Sequence, residues 1–505
     1  MSDFLEVRSP ADGAVVASVP VRSAQEVEAA VAAARAAQVL WAGRSPTERA
    51  RVMREVARAL GRRGDEIAAC IRRETGKPLT EALAEVLVSV DLIRYYVRVA
   101  PRHLRPRRAG TGWMITKAGW VEREPLGVVG AITPWNYPFV LVMDCVTPAL
   151  FGGNGVVVKP SEVTPLTALL VPRLLEEAGV PQGLVQVVSG DGSTGRALVR
   201  AGVDRVAFTG STATGRRVME AAASTLTPVT LELGGKDAAI VLEDADVERA
   251  ARGIVFGAFF NAGQTCISVE RVFVVRAVYT PFVERVTDLA RSLRVGAGDD
   301  ADVGPIITSA QMSVLERQVE AALAAGARAL CGGRRVGTSP CFAPTVLVDV
   351  DGSMDVAREE SFGPLLPVIA VEDEEEAVRL ANETRYGLFA SVWTGDRRRG
   401  QQVARRLRAG GVSVNDVLSH YSVASLPMGG VGDSGFGRRR GVEALDDMTR
   451  SRTLFADRAG VKREAYWFPY TERSVRLLRA LLHWRSRGGP GGVAALIRGL
   501  LGKES

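Results

Sequence analysis

From about residue 125 onward, short apolar runs alternate with stretches of helical periodicity, and few folds accept that rhythm. Gly127–Ile132, Gly155–Val158, Leu184–Val188 and Val203–Phe208 are such runs. Strands buried on both faces read this way, and strands separated by helices imply a parallel sheet in an α/β protein. A second stretch of the same kind spans about Ala238 to Val414, with strands at Ala238–Leu242, Arg271–Val275 and Leu366–Val371, and implies a second α/β domain. The 505 residues exceed one hydrophobic core and fit two or three domains. Two helical segments come first. Residues 23–40 open on the capping pair Ser23 and Glu26, and residues 46–75 read as one long helix stopped by Gly76 and Pro78. No repeat of solenoid period is present.

Composition removes several classes of function. Hydrophobic residues make up 47% and charged residues 24%, ordinary globular usage. The net charge of +7 is a mild excess over this length, read as a solvated basic surface. With no zinc-finger or RNA-binding signature, nucleic acid is not expected as a partner. Five cysteines (Cys70, Cys145, Cys266, Cys331, Cys341) form no C-x-x-C pair and no even set, which points to a reducing, cytoplasmic compartment. His103, His420 and His483 are scattered, so no metal site is expected.

Two segments invite a membrane reading. Met1–Pro10 carries acids and no apolar core, so it does not read as a signal peptide. Pro125–Met143 holds no charged residue, but Pro125, Pro134, Pro138, Gly127 and Gly130 make it a buried strand–loop–helix. In the last fifty residues, Val475, Leu478, Leu481 and Leu482 share a face ringed by Arg476, Arg479 and Arg485. A Gly488–Gly492 break then precedes the apolar piece Val493–Leu501. This tail reads either as packing on its own or a partner subunit, or as disordered, or as weak contact with an anionic membrane surface, and the packing or disordered reading is preferred.

Two loops compete for a dinucleotide. Gly190-Asp-Gly192-Ser-Thr-Gly195 matches G-x-G-x-x-G between a strand and a helix, yet no acid ends the next strand about 20 residues on. Among 53 glycines such a match carries little weight. Phe208-Thr-Gly-Ser-Thr-Ala-Thr-Gly215 follows the strand Val203–Phe208 and opens the helix Thr214–Ala223, where free N–H groups and the positive helix end would meet a phosphate. Judged alone, each loop is as easily a plain strand-to-helix turn.

Five further segments come in a telling order: Pro134-Trp-Asn-Tyr-Pro138, Lys159-Pro-Ser-Glu162, Glu232-Leu-Gly-Gly-Lys236, Phe260-Asn-Ala-Gly-Gln-Thr-Cys266 and Glu359-Glu-Ser-Phe-Gly-Pro364. From about residue 10 to residue 455 the chain resembles the aldehyde dehydrogenase superfamily. The resemblance implies the α/β architecture of that family: a Rossmann-type cofactor domain, an α/β catalytic domain and a small β oligomerisation flap. The expected boundaries are 1–104 and 126–233 for cofactor, 234–432 for catalysis, 105–125 and 433–455 for the flap, and 456–505 for a basic amphipathic tail. A homodimer or homotetramer is implied.

The resemblance also implies roles. Cys266 is the nucleophile that attacks the aldehyde carbon. The side-chain N–H of Asn136 and the Cys266 backbone N–H hold the oxyanion. Glu232 is the base that activates water to cleave the thioester, which favours hydrolysis over transfer to coenzyme A. NAD is the expected cofactor, with NADP not excluded. The pyrophosphate goes to Gly210, Ser211 and Gly215, so the literal glycine motif is a structural turn. Lys159 and Glu162 hold the adenine ribose, Glu360 the nicotinamide ribose, and Phe362 packs beside the ring. Thr133, Trp135 and Leu233 complete the cofactor set. Asn415 follows a late strand near the pocket.

The substrate signals disagree. Asn261–Arg271 resembles a branch named for succinate semialdehyde, and that label is preferred on overall likeness. Trp135-Asn-Tyr-Pro-Phe139 resembles enzymes of medium and long aliphatic or aromatic aldehydes. Asp144 stands where some succinate-semialdehyde enzymes carry an Arg, and Met428 stands where an aromatic is common. A coenzyme-A-acylating enzyme and a non-catalytic structural relative are the remaining readings. The second would require loss of Cys266, Glu232 or Asn136, and all three are present.

Overall fold

The computed structural model describes residues 3–298, 300–464 and 466–487, in two compact units. The larger comprises residues 1–104 and 124–450, the smaller residues 105–123 and 451–505. The larger unit begins with the antiparallel hairpin of β1 (Phe4–Arg8) and β2 (Val15–Pro20). Helices follow. Ser23 and Glu26 form the anticipated reciprocal cap on Ala24–Ala42. The expected single helix over 46–75 is instead two, Pro46–Arg62 and Gly64–Thr75. Arg63 leaves helical geometry at φ −103°, ψ 18°, and acids at Asp65 and Glu66 mark a new N-terminus. Gly76 ends the second helix in the left-handed region (φ 70°). A long helix, Leu79–His103, packs on both.

In the smaller unit, β3 (Arg107–Ala109) and β4 (Lys117–Pro125) pair antiparallel and belong to a three-stranded sheet. Returning to the larger unit, β5 (Val128–Ile132), β6 (Gly155–Lys159), β7 (Val185–Val187), β8 (Arg205–Thr209) and β9 (Val229–Glu232) run parallel in the spatial order β9-β8-β5-β6-β7. The chain steps outward from β5 in one direction, then returns and steps outward in the other. The crevice beyond the carboxyl ends of β5 and β8 is therefore the switch point where such sheets take ligands. Val129, Ala131, Val156, Val157, Val158, Val206 and Ala207 are fully buried in this sheet. Residues 125–143 form the expected strand, loop and helix, the helix being Val140–Gly152.

A second sheet is built from β10 (Asp237–Val241), β11 (Val269–Val275), β12 (Arg328–Cys331), β13 (Thr345–Val348), β14 (Leu365–Val371), β15 (Phe389–Trp393) and β16 (Gly411–Val414), in the order β12-β13-β14-β11-β10-β15-β16. Only β12 runs antiparallel within it. Residues 433–450, grouped with the flap on sequence, fall in the larger unit. There β17 (Gly435–Phe436) pairs antiparallel with β9, setting Gly435 opposite Glu232. A Cβ on Gly435 would lie 2.1 Å from the Leu231 carbonyl oxygen, so this close pairing needs glycine. The last strand, β18 (Thr449–Asp457), completes the three-stranded sheet in the order β18-β4-β3. In that unit the helix Glu472–Arg487 follows. The apolar piece Val493–Leu501 lies outside the described residues. No helix among those described is long and apolar enough to cross a membrane.

Candidate active site

The segment before Cys266 has an unusual backbone. Asn261, Ala262 and Gly263 are consecutively left-handed (φ 55°, 53° and 71°). Two are not glycine, so the surroundings must over-determine the turn. They do. The Asn261 N–H donates to the Glu81 carboxylate at 2.8 Å, and the Asn261 side chain donates to the carbonyls of Asn136 and Gln264. Gln264 donates to the carbonyls of Asn261 and Pro305 and accepts from the Ile307 N–H. Gly263 packs on the Gly363 carbonyl group, where a Cβ would approach to 2.3 Å. Every polar group of the Gln264 amide is thus used to hold the loop presenting Cys266.

Asn136 meets this loop from the other sheet. Its Nδ2 donates to the Gln264 carbonyl at 2.9 Å, leaving one N–H, and its buried Oδ1 has no partner among the described residues. Lys77 donates to the Asn136 carbonyl at 2.8 Å and to Glu85 at 2.8 Å. Both members of that ion pair are only 2% exposed. The other Glu85 oxygen accepts the N–H groups of Phe139 and Val140 at the start of the helix Val140–Gly152. Tyr137 hydrogen-bonds Thr265 at 2.6 Å. Nothing in the local pattern around residue 136 announces Lys77, Glu81 or Glu85 as its supports.

Glu232 ends β9 and is buried. Burial pushes its carboxyl up to about 7, against the pull of Arg439 and Arg438. Its Oε1 has no partner among the described residues. Burial also drives the Cys266 thiol well above the ordinary thiol range, and the charges of Glu232, Asp237 and Glu360 push the same way. Cys266 and Glu232 therefore sense each other's charge, and the resting sulfur is a protonated thiol.

Cys266 lies on the wall of a cavity of about 550 Å³ whose lining includes Val88, Tyr137, Leu141, Phe260, Leu418 and Tyr421. Glu81 and Glu85 are also on the wall, and no Lys or Arg is. Asp144, expected to oppose a carboxylate if it faced the tunnel, is turned away from it. It is 3% exposed, pairs with Arg440 at 2.9 Å and accepts from the Tyr421 hydroxyl at 2.6 Å. Met428 does not line the cavity either. It forms a backbone bridge to Arg439, and the late contribution to the wall comes from Leu418, Ser419, Tyr421 and Ser422. Asn415 is a turn residue (φ 56°) whose amide exchanges two hydrogen bonds with Thr394.

A second cavity, about 700 Å³, opens at the switch point between β5 and β8. Thr133, Trp135, Lys159, Glu162, Gly210 and Ser211 line it. Thr133 Oγ1 is buried without a partner among the described residues, and Lys159 pairs with the half-exposed Glu162 at 3.1 Å. Gly215 and Leu233 stand behind this wall. A Cβ at Gly215 would meet Leu233 at 2.6 Å, so the glycine sets helix-to-strand packing. Glu360 and Phe362 approach from the second sheet: Glu360 accepts the Gly235 N–H at 3.0 Å, and the Phe362 ring meets Trp135 edge-on at 5.3 Å. Glu270 holds that loop by accepting the N–H groups of Ser361 and Phe362, itself neutralised by Lys236 at 2.6 Å.

Gly192 and Gly195 of the literal motif line the same cleft. What separates the two loops is their caps. The helix Gly192–Arg200 is capped by Asp191, whose carboxylate accepts the Ser193 N–H at 2.8 Å and would repel a phosphate. The helix Thr212–Ala223 is capped by the neutral hydroxyl of Ser211.

The aldehyde dehydrogenase family profile matches residues 1–454, spanning both sheets and every residue of this site. The chain belongs to the aldehyde dehydrogenase family. It is accordingly an oxidoreductase acting on the aldehyde group. Two relatives are each 40% identical. One, from Methylomonas sp, is named 4,4'-diapolycopene aldehyde oxidase and matches 94% of this chain and 90% of its own length. The other, from Mycobacterium ulcerans (strain Agy99), carries the name succinate-semialdehyde dehydrogenase [NADP(+)] 2 and matches 88% and 86%. Among solved structures, an NAD-dependent aldehyde dehydrogenase from Sinorhizobium meliloti is similar with a TM-score of 0.88 at 38% identity, covering 92% of this chain and 93% of that one.

Proposed function

We propose that this aldehyde dehydrogenase oxidises an apolar aldehyde to its carboxylic acid through a thioester on Cys266, with NAD as hydride acceptor. The observation that carries the reading is a convergence: Cys266 borders an apolar cavity, the Asn136 amide donates to the carbonyl of Gln264 two residues before it, and the charge of Glu232 acts on its thiol.

The cleft suits a dinucleotide in size and chemistry. It sits at the switch point, borders the N-terminus of the helix Thr212–Ala223 with its neutral Ser211 cap, and holds the Thr133 hydroxyl, which has no partner among the described residues. Gly210 and Ser211 would meet the pyrophosphate, Lys159 and Glu162 the adenine ribose, and Glu360 with Phe362 the nicotinamide end. Bound there, the nicotinamide supplies the hydride acceptor that turns the addition product into a thioester. The β5–β9 sheet is thus the cofactor domain and the β10–β16 sheet the catalytic one.

The remaining chemistry belongs to the chain. Sulfur attacks the carbonyl carbon as the thiol proton leaves to solvent water, so this step does not consume Glu232. The oxyanion takes the spare Asn136 N–H and the Cys266 N–H. Glu232 then removes a proton from water, the new C–O bond forms, the C–S bond breaks, the proton held by Glu232 returns to the sulfur, and the acid leaves.

The cavity wall favours an apolar chain over succinate semialdehyde. Among the described residues the wall offers a substrate carboxylate no cation of its own, and Lys77 behind it is already paired with Glu85. The M. ulcerans relative's name supports the succinate reading. An aldehyde series read as NADH absorbance separates the two. Each methylene buried should raise kcat/KM about fourfold, from about 0.8 kcal/mol, until the cavity is full. Succinate semialdehyde outperforming a neutral aldehyde of equal length would reverse the assignment.

A further inference from the structure

The net positive charge is not spread evenly over the chain. Residues 456–505 hold ten Lys and Arg against four Asp and Glu, so this tenth of the chain carries six of the seven net positive charges. The described part concentrates apolar surface in the same place. On the helix Glu472–Arg487, Val475, Leu478 and Leu482 are 46%, 46% and 67% exposed. Their i, i+3, i+7 spacing puts them on one ridge. Ser474 and Ala480 are buried, so the helix packs through a different side, and the ridge is not its packing face. Arg479 and Arg485 flank the ridge, with Arg473 and Arg476 further round, all exposed. Their only acidic companion on the helix is Glu472, which lies 3.8 Å from Arg476. Just before the helix, Trp467, Phe468 and Tyr470 are 51%, 77% and 67% exposed, the last two rings in contact at 4.6 Å.

We infer that this segment is a docking surface for an anionic phospholipid bilayer. An apolar ridge bordered by arginines matches the boundary between acyl chains and headgroup phosphates, where long cationic side chains keep their charge in water while their stems cover apolar surface. Exposed Trp and Tyr suit the same boundary. A second copy of this face fits poorly, because a two-fold contact would set its arginines against each other. The sequence continues into Val493–Leu501, a second apolar run with Arg498 inside it and Lys503 beyond. The inference stands apart from the catalytic reading, since its readout is binding and not turnover.

The test is co-sedimentation of the full chain with vesicles of phosphatidylcholine alone or mixed with phosphatidylglycerol. Binding is expected only to the mixed vesicles, weakening as salt rises. Arg479→Glu with Arg485→Glu should lower the partition coefficient on the order of a hundredfold at low salt. Leu478→Asp with Leu482→Asp should lower it at least about tenfold. These side chains already face water, so thermal melts and turnover of a soluble aldehyde should match wild type. Absence of binding to mixed vesicles, or equal binding by both variants, overturns the proposal. So does a smaller oligomer for the leucine variant in sedimentation velocity, which would make the ridge a subunit contact.

Discussion

Replacing Glu232 by glutamine should make the protein more stable and a poorer catalyst, and the two effects should part with pH. An unfolded Glu titrates near 4.5, whereas burial lifts Glu232 to about 7. Between those values the folded state holds a proton that the unfolded chain has released, so stability falls as pH rises through this window. Above pH 7 the full penalty, on the order of 3 kcal/mol, is present. The Glu232→Gln variant would lack it, and because the value of about 7 already includes the pull of Arg439, the gain should approach that figure, on the order of 2–3 kcal/mol. Melting at pH 8 should therefore show Glu232→Gln a few degrees above wild type, with the gap closing near pH 4.5. Wild-type steady turnover should lose about tenfold per pH unit below 7 as the base is protonated. In stopped flow at pH 8 the variant should give one NADH per site and then slow turnover, because acylation outlives the lost base. A stability gap independent of pH, or undiminished steady turnover, would refute this account of Glu232.

Other changes test the supports of the site. Asn136→Ala should lower kcat by about a hundred- to a thousandfold with little effect on cofactor affinity, measured by steady-state kinetics and fluorescence titration. Lys77→Met leaves Glu85 buried without its cation and should cost about 3 kcal/mol in urea unfolding, somewhat cushioned by the two N–H groups Glu85 still accepts. Glu162→Ala removes a carboxylate from a cleft that Arg196 and Arg217 also line, and should improve NADP use relative to NAD on the order of tenfold. An unchanged NADP/NAD ratio of kcat/KM would remove Glu162 from the ribose site.

Much of the β5–β9 sheet was readable because parallel strands buried on both faces must be short apolar runs, as at Val156–Val158 and Val206–Phe208. The loop before Cys266 was also readable, since Gly263 is forced by its contact with Gly363 and Gln264 by its three partners. Other features were not. The break at Arg63 involves no proline, only a residue that leaves the helix where two acids restart it. The glycine motif at 190–195 carries an acidic cap, Asp191, whose place at the helix end appears only in the fold. The cavity wall draws on four separated segments, so Leu141, Phe260 and Leu418 become neighbours only on folding. The orientation of Asp144 likewise depends on Arg440, nearly three hundred residues away.

The most direct measurement is the mass of the intermediate. Glu232→Gln mixed with NAD and a medium-chain aldehyde, quenched in acid and digested, should yield the Cys266 peptide carrying the acyl group, and hydroxylamine should release it. NADH formed without that adduct, or an acyl group found on any other residue, would contradict the account.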